Sequence, residues 1–130
     1  MSSIFTKIVK GEIPAYKIAE TESCLAFLDV FPIAKGHVLV IPKKEVDYIF
    51  DLDDDLYQEL MNFTKHISKA LKKSIPCLKI GVAVVGLEVP HAHVHLVPIN
   101  NISDLDFTKP KLKLSEEELI QIRELIKSNL

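Results

Sequence analysis

Between Pro90 and Pro98 the chain reads His91-Ala92-His93-Val94-His95-Leu96-Val97, three histidines alternating with apolar residues at a period of two. Successive side chains of an extended strand leave on opposite faces. The spacing therefore predicts a strand with His91, His93 and His95 on one face and Ala92, Val94 and Leu96 facing a core. The rings would stand roughly 6.5–7 Å apart along such a strand. A fold built around this segment needs a sheet that is apolar on one side and carries titratable rings on the other. Three of the five histidines fall here, more than a bland polar face requires.

The remaining pattern supplies the partners for that strand. Ile4-Phe5-Thr6-Lys7-Ile8-Val9 has the spacing of a short helix, stopped by Gly11 and Pro14. Tyr16 to Glu20 and Cys24 to Leu28 read as a strand pair joined by the polar turn Thr21-Glu22-Ser23. A loop from Asp29 to Gly36 delivers His37 to the apolar run Val38-Leu39-Val40-Ile41, a strand covered on both faces and closed by Pro42. Asp51 to Asp55 supply helix-capping acids, and Leu56, Leu60, Phe63, Ile67, Ala70 and Leu71 mark one face of a long helix. His66 lies beside that stripe as a surface residue. Cys77 to Val85 reads as a strand turned by Gly86-Leu87-Glu88 into the histidine strand. Residues 99–110 form a polar loop, and Ser115 with Glu118 is a capping box opening a last helix. The order predicts one α+β domain over residues 1–130, with a mainly antiparallel sheet, one long helix and one C-terminal helix.

Composition narrows the functional classes. A net charge of −2 and a pI near 6.2 argue against a partner held by bulk positive charge, so neither nucleic acid nor an anionic membrane is expected. No window approaches a membrane span, no leader pattern opens the chain, and two unpatterned cysteines, Cys24 and Cys77, suit reduced buried thiols. A cytoplasmic protein is expected.

A neutral imidazole is a nucleophile and a proton carrier. Attack on phosphorus needs one ring whose far nitrogen donates to an acceptor, leaving the near nitrogen unprotonated. The middle ring of a triplet suits this role, because its neighbours can donate to phosphoryl oxygens. His93 is the candidate nucleophile, with His91 and His95 flanking it. His37 and Asp29 carry no chemistry on spacing alone. Metal binding is the competing reading, since alternate histidines can share an ion. Three on a straight strand span too far for one ion, so a further ligand such as His37 or a carboxylate would be needed. No metal and no cofactor is expected, and phosphate loops of the Walker or G-x-G-x-x-G type are absent.

His91-Ala92-His93-Val94-His95-Leu96-Val97 matches the signature of the histidine-triad (HIT) nucleotide-binding proteins. Ile4 to Pro14, Cys24 to Asp29 and Gly36 to Lys44 also resemble that family, most closely its Hint-like branch of purine nucleoside phosphoramidases. The resemblance implies a homodimer whose two five-stranded sheets join into one of ten strands. It implies release of a nucleoside monophosphate, AMP- or GMP-like, from an amine or phosphate leaving group through a nucleotidyl-histidine. On this likeness His93 attacks the α-phosphorus, His95 contacts the α-phosphate, and the His91 carbonyl orients the nucleophile. His37 is the fourth histidine, Asp29 holds the ribose hydroxyls, and Phe5, Ile8, Phe27 and Val30 line the base and ribose pocket.

The chain departs from the Hint-like pattern at three positions. Ile80 stands in place of an asparagine, Gly86-Leu87 in place of a Gly-Gln pair, and Glu88 in place of a serine that approaches the leaving group. These imply a retained core site with altered activity or leaving-group preference. The alternatives are a nucleotide-binding module with little turnover, or a dinucleoside polyphosphate hydrolase.

Overall fold

A computed structural model describes residues 2–130. Helix α1 (Ile4–Val9) precedes three strands, β1 (Lys17–Glu20), β2 (Cys24–Leu28) and β3 (Val38–Pro42). Helix α2 (Asp54–Ser74) follows, then β4 (Lys79–Ala83), β5 (Val94–Ile99) and helix α3 (Glu116–Ser128). The five strands form one sheet in the order β1-β2-β3-β5-β4, every neighbouring pair antiparallel. The α+β class, strand number and both major helices match the sequence expectation. The Asp53 carboxylate caps α2 by accepting from Leu56 N, and the Ser115–Glu118 capping box opens α3.

The sheet has two unlike faces. Ala26, Leu28, Val38, Val40, Val94 and Leu96 point to a core shared with Leu60, Ile67 and Leu71 of α2 and with Leu119 and Ile126 of α3. Leu25, Phe27, Leu39 and Ile41 point the other way, against Phe5 and Ile8 of α1. Both β2 and β3 are buried along their whole length, which is why their sequences are unbroken apolar runs rather than alternating ones. The loop entering β3 passes close over the end of α2. Gly36 takes φ +85°, and a Cβ there would lie 2.9 Å from Ile75 Cγ1, so only glycine lets His37 arrive at the sheet.

Three expectations are corrected. Ladder pairing of β5 begins only at Val94, so His91 and His93 lie on the approach to the strand and His95 alone within it. Pro90 and Pro42 offer no N–H, and the Pro42 carbonyl is taken by the His91 ring instead. Strand β4 is shorter than Cys77 to Val85, and residues 84–93 make a long connection rather than a tight turn. Finally, Cys24 is fully buried but Cys77 is only half-buried; both are free thiols. Among the described residues no helix is long and apolar enough to cross a membrane.

Candidate active site

The sheet face that carries α1 also carries the histidines. Leu39 of β3 pairs with His95 of β5, and Leu39 belongs to the α1-side cluster, so the His95 ring emerges there. Ala92, Val94 and Leu96 go to the opposite core, as the period-two pattern requires. His91, His93, His95 and His37 are all buried. The rings are closer than a regular strand would hold them: His93 and His95 have centroids 4.9 Å apart in an edge-to-face arrangement. Phe5 of α1 packs edge-on against His93 at 5.0 Å and against His91 at 5.8 Å.

Hydrogen bonding assigns a proton to each ring. His93 Nδ1 lies 2.7 Å from the His91 carbonyl, which only accepts, so Nδ1 carries the hydrogen and Nε2 keeps its lone pair. The backbone N–H of Ile33 donates to His37 Nδ1 at 3.1 Å, which puts the His37 hydrogen on Nε2. That nitrogen is 2.9 Å from His95 Nδ1, so the His95 hydrogen in turn sits on Nε2, available to a phosphoryl oxygen. Burial drives His37 down to about 4, helped by the nearby positive charge of Lys111. Burial likewise pushes His95 to about 3, with His37 and His93 adding to it and Asp29 opposing. Burial is also the main reason that His91 is lowered. His37 and His95 therefore remain neutral at pH 7.

Asp29 stands beside this pair. Its Oδ1 accepts from Phe31 N at 2.8 Å, and its Oδ2 is 3.6 Å from His37 Nε2. Asp29, His37 and His95 offer three ligand atoms within 4.8 Å of one another, the extra ligands that the sequence reading required of any metal centre. Two imidazole nitrogens on one tetrahedral zinc would be about 3.3 Å apart. The 2.9 Å separation of His37 and His95 fits the hydrogen bond instead.

Phe5, Ile8 and Phe27 form the buried wall next to the rings, whereas Val30 is exposed at the edge. Glu88 is exposed on the connection between β4 and β5, as is Leu87. Ile80 packs against the core on the helix-covered face, away from His95. His66 is exposed on α2. Sequence reasoning missed two contributions. Phe107, in the loop after β5, packs 4.6 Å from His95 and 6.1 Å from His37, and Lys111 donates to its carbonyl at 2.8 Å. Ser3, Thr6 and Glu45 gather around the His91 ring. An aromatic within a polar loop and three small or acidic residues far apart in sequence carry no local signal for either role.

The HIT domain family matches residues 10–102. The adenosine 5'-monophosphoramidase hnt1 of Schizosaccharomyces pombe is 37% identical over 132 residues, covering 100% of this chain and 99% of that protein. The adenosine 5'-monophosphoramidase HNT1 of Saccharomyces cerevisiae is 40% identical over 96 residues, 73% of this chain and 61% of that one. A crystal structure of a Hit-like protein from Bartonella henselae superposes with a TM-score of 0.86 at 28% identity, covering 99% and 97% of the two chains. By sequence and by fold, the chain belongs to the HIT family.

Proposed function

We propose that this protein is a nucleotidyl hydrolase of the phosphoramidase type, releasing a purine nucleoside monophosphate from an amine or phosphate leaving group. The observation that carries the reading is the 2.7 Å contact between His93 Nδ1 and the His91 carbonyl, which leaves Nε2 free to attack. In the first step His93 Nε2 bonds to the α-phosphorus and the phosphorus–nitrogen bond breaks, the amine leaving with a proton from solvent. The nucleotidyl-imidazolium is stabilised by the His91 carbonyl, and His95 Nε2–H donates to the phosphoryl oxygen as charge develops. Water then attacks phosphorus, the bond to His93 breaks, and the monophosphate departs. Asp29 holds the ribose hydroxyls, and Phe5, Ile8, Phe27 and Val30 line the base and ribose pocket. The AMP-phosphoramidase relatives support both the substrate class and the reaction. The test is hydrolysis of an adenosine phosphoramidate beside a diadenosine polyphosphate, with the intermediate trapped for mass spectrometry. A nucleotidyl adduct on His93 is expected; an adduct elsewhere, or no turnover of either compound, overturns the reading.

The whole chain acts, on this reading, as a single domain that pairs with a second copy. Strand β4 has a free edge, and Val82 within it and Val84 and Val85 just after it are exposed, which suits pairing into a ten-stranded sheet. Light scattering on the purified protein should give twice the 14.7 kDa chain mass.

A further inference from the structure

The ring of His91 has no part in that mechanism, which uses only its backbone carbonyl, yet it is fully buried and fully bonded. Its Nε2 lies 2.8 Å from the Pro42 carbonyl and therefore carries the hydrogen. Its Nδ1 must then accept, and Ser3 Oγ is 2.8 Å away. Ser3 Oγ accepts from Thr6 N at 3.0 Å as the cap of α1 and has two acceptors for its own proton, His91 Nδ1 at 2.8 Å and Thr6 Oγ1 at 3.2 Å; the shorter contact, to the ring nitrogen that needs a donor, takes it. Glu45, just beyond β3, accepts from Ser3 N and, at 2.7 Å, from Thr6 Oγ1. With Thr6 Oγ1 donating to Glu45, Ser3 is left as the donor to His91 Nδ1.

The segment after β3 that carries Glu45 also holds the peptide unit between His91 and Ala92. Its N–H donates to the carbonyl of Val46, next to Glu45, at 2.7 Å, and its carbonyl accepts from His93. We propose that Ser3, Thr6 and Glu45 are positioning residues, which lock the His91 ring and through it the carbonyl that keeps His93 in the attacking tautomer. The proposal rests on the phosphoramidase reading for its kinetic consequence, though not for its structural one. The start of α1 becomes a strap across the site. Phe5, between Ser3 and Thr6, completes it by packing on both rings.

The test combines steady-state kinetics on an adenosine phosphoramidate with nitrogen-15 histidine NMR, which reads the tautomer of each ring directly. Ser3→Ala and Glu45→Gln are expected to lower kcat about tenfold while KM stays within about twofold, the scale of one lost hydrogen bond. The His93 signal should change from one Nδ1–H tautomer to a mixture. Ser3→Thr, which keeps the hydroxyl, should restore both. Glu45 is exposed, so its variant reports even if Ser3→Ala does not fold. A wild-type kcat in Glu45→Gln with His93 still a single Nδ1–H tautomer overturns the inference, as does a loss that Ser3→Thr cannot rescue. If the wild-type protein hydrolyses nothing, the functional reading falls and the NMR comparison still decides the strap.

Discussion

His37 Nε2 lies 2.9 Å from His95 Nδ1, so a residue at the end of a loop sets the proton position of a ring on the neighbouring strand. The chain of donors begins with the backbone N–H of Ile33 and ends at His95 Nε2. Both rings are buried and neutral, which makes the pair a fixed dipole aimed at the site rather than a second charge beside it. On the proposed mechanism, His37 acts through His95 rather than on phosphate.

Replacing His37 with phenylalanine keeps most of the volume but frees His95 to take either tautomer. The expected outcome is a fall in kcat of roughly 10–100-fold with a smaller change in KM. Steady-state kinetics checks this, and an unchanged kcat would show that His95 needs no partner.

The depressed rings make stability depend on pH. Unfolded histidine titrates near 6.5, whereas His37 and His95 titrate at about 4 and about 3 in the fold. Between those values the unfolded chain binds more protons, so stability rises with pH across the window and is lost on acidification below 6.5. Each ring contributes a slope of at most about 1.4 kcal/mol per pH unit. Urea midpoints should be higher at pH 7 than at pH 5, and His37→Phe should flatten the trend. Equal midpoints at the two pH values would contradict the burial of these rings as neutral groups.

His93→Ala removes the nitrogen proposed to attack and leaves His95 and Asp29 in place. Turnover should fall by about 10⁴-fold or more, while a nucleoside monophosphate still binds. Calorimetry with AMP beside a turnover assay separates these effects, and retained turnover would exclude His93 as the nucleophile.

Asp29→Ala tests the ribose contact. KM for a ribonucleotide substrate should rise about tenfold, the value of one hydrogen bond to a charged group. For the 2′,3′-dideoxy analogue wild type and variant should give the same KM. A rise of equal size with both substrates would assign Asp29 to holding His37 and its loop rather than the sugar.

Gly36→Ala puts a methyl group 2.9 Å from Ile75 and 3.2 Å from Leu71 at a backbone angle of +85°. A loss of about 1–3 kcal/mol in unfolding free energy is expected. Urea denaturation measures it, and a neutral result would show that the loop and the end of α2 shift apart without cost.

The alternation of histidine with alanine, valine and leucine was enough to determine which residues face the helices. Period two assigns opposite faces wherever one side is buried, and Ala92, Val94 and Leu96 obey it. The apolar runs of β2 and β3, the caps of α2 and α3, and the α+β order were legible for the same reason: they are local patterns with a local cause. What the sequence could not determine was where the ladder stops, because that depends on Pro42 and His91 meeting across the sheet. Nor could it bring Ser3, Thr6 and Glu45 to the His91 ring, His37 to His95, or Phe107 over both. Those contacts join segments distant in the chain. Only tertiary packing, which excludes water and brings distant acceptors and donors to the ring nitrogens, decided which ring would keep a free lone pair.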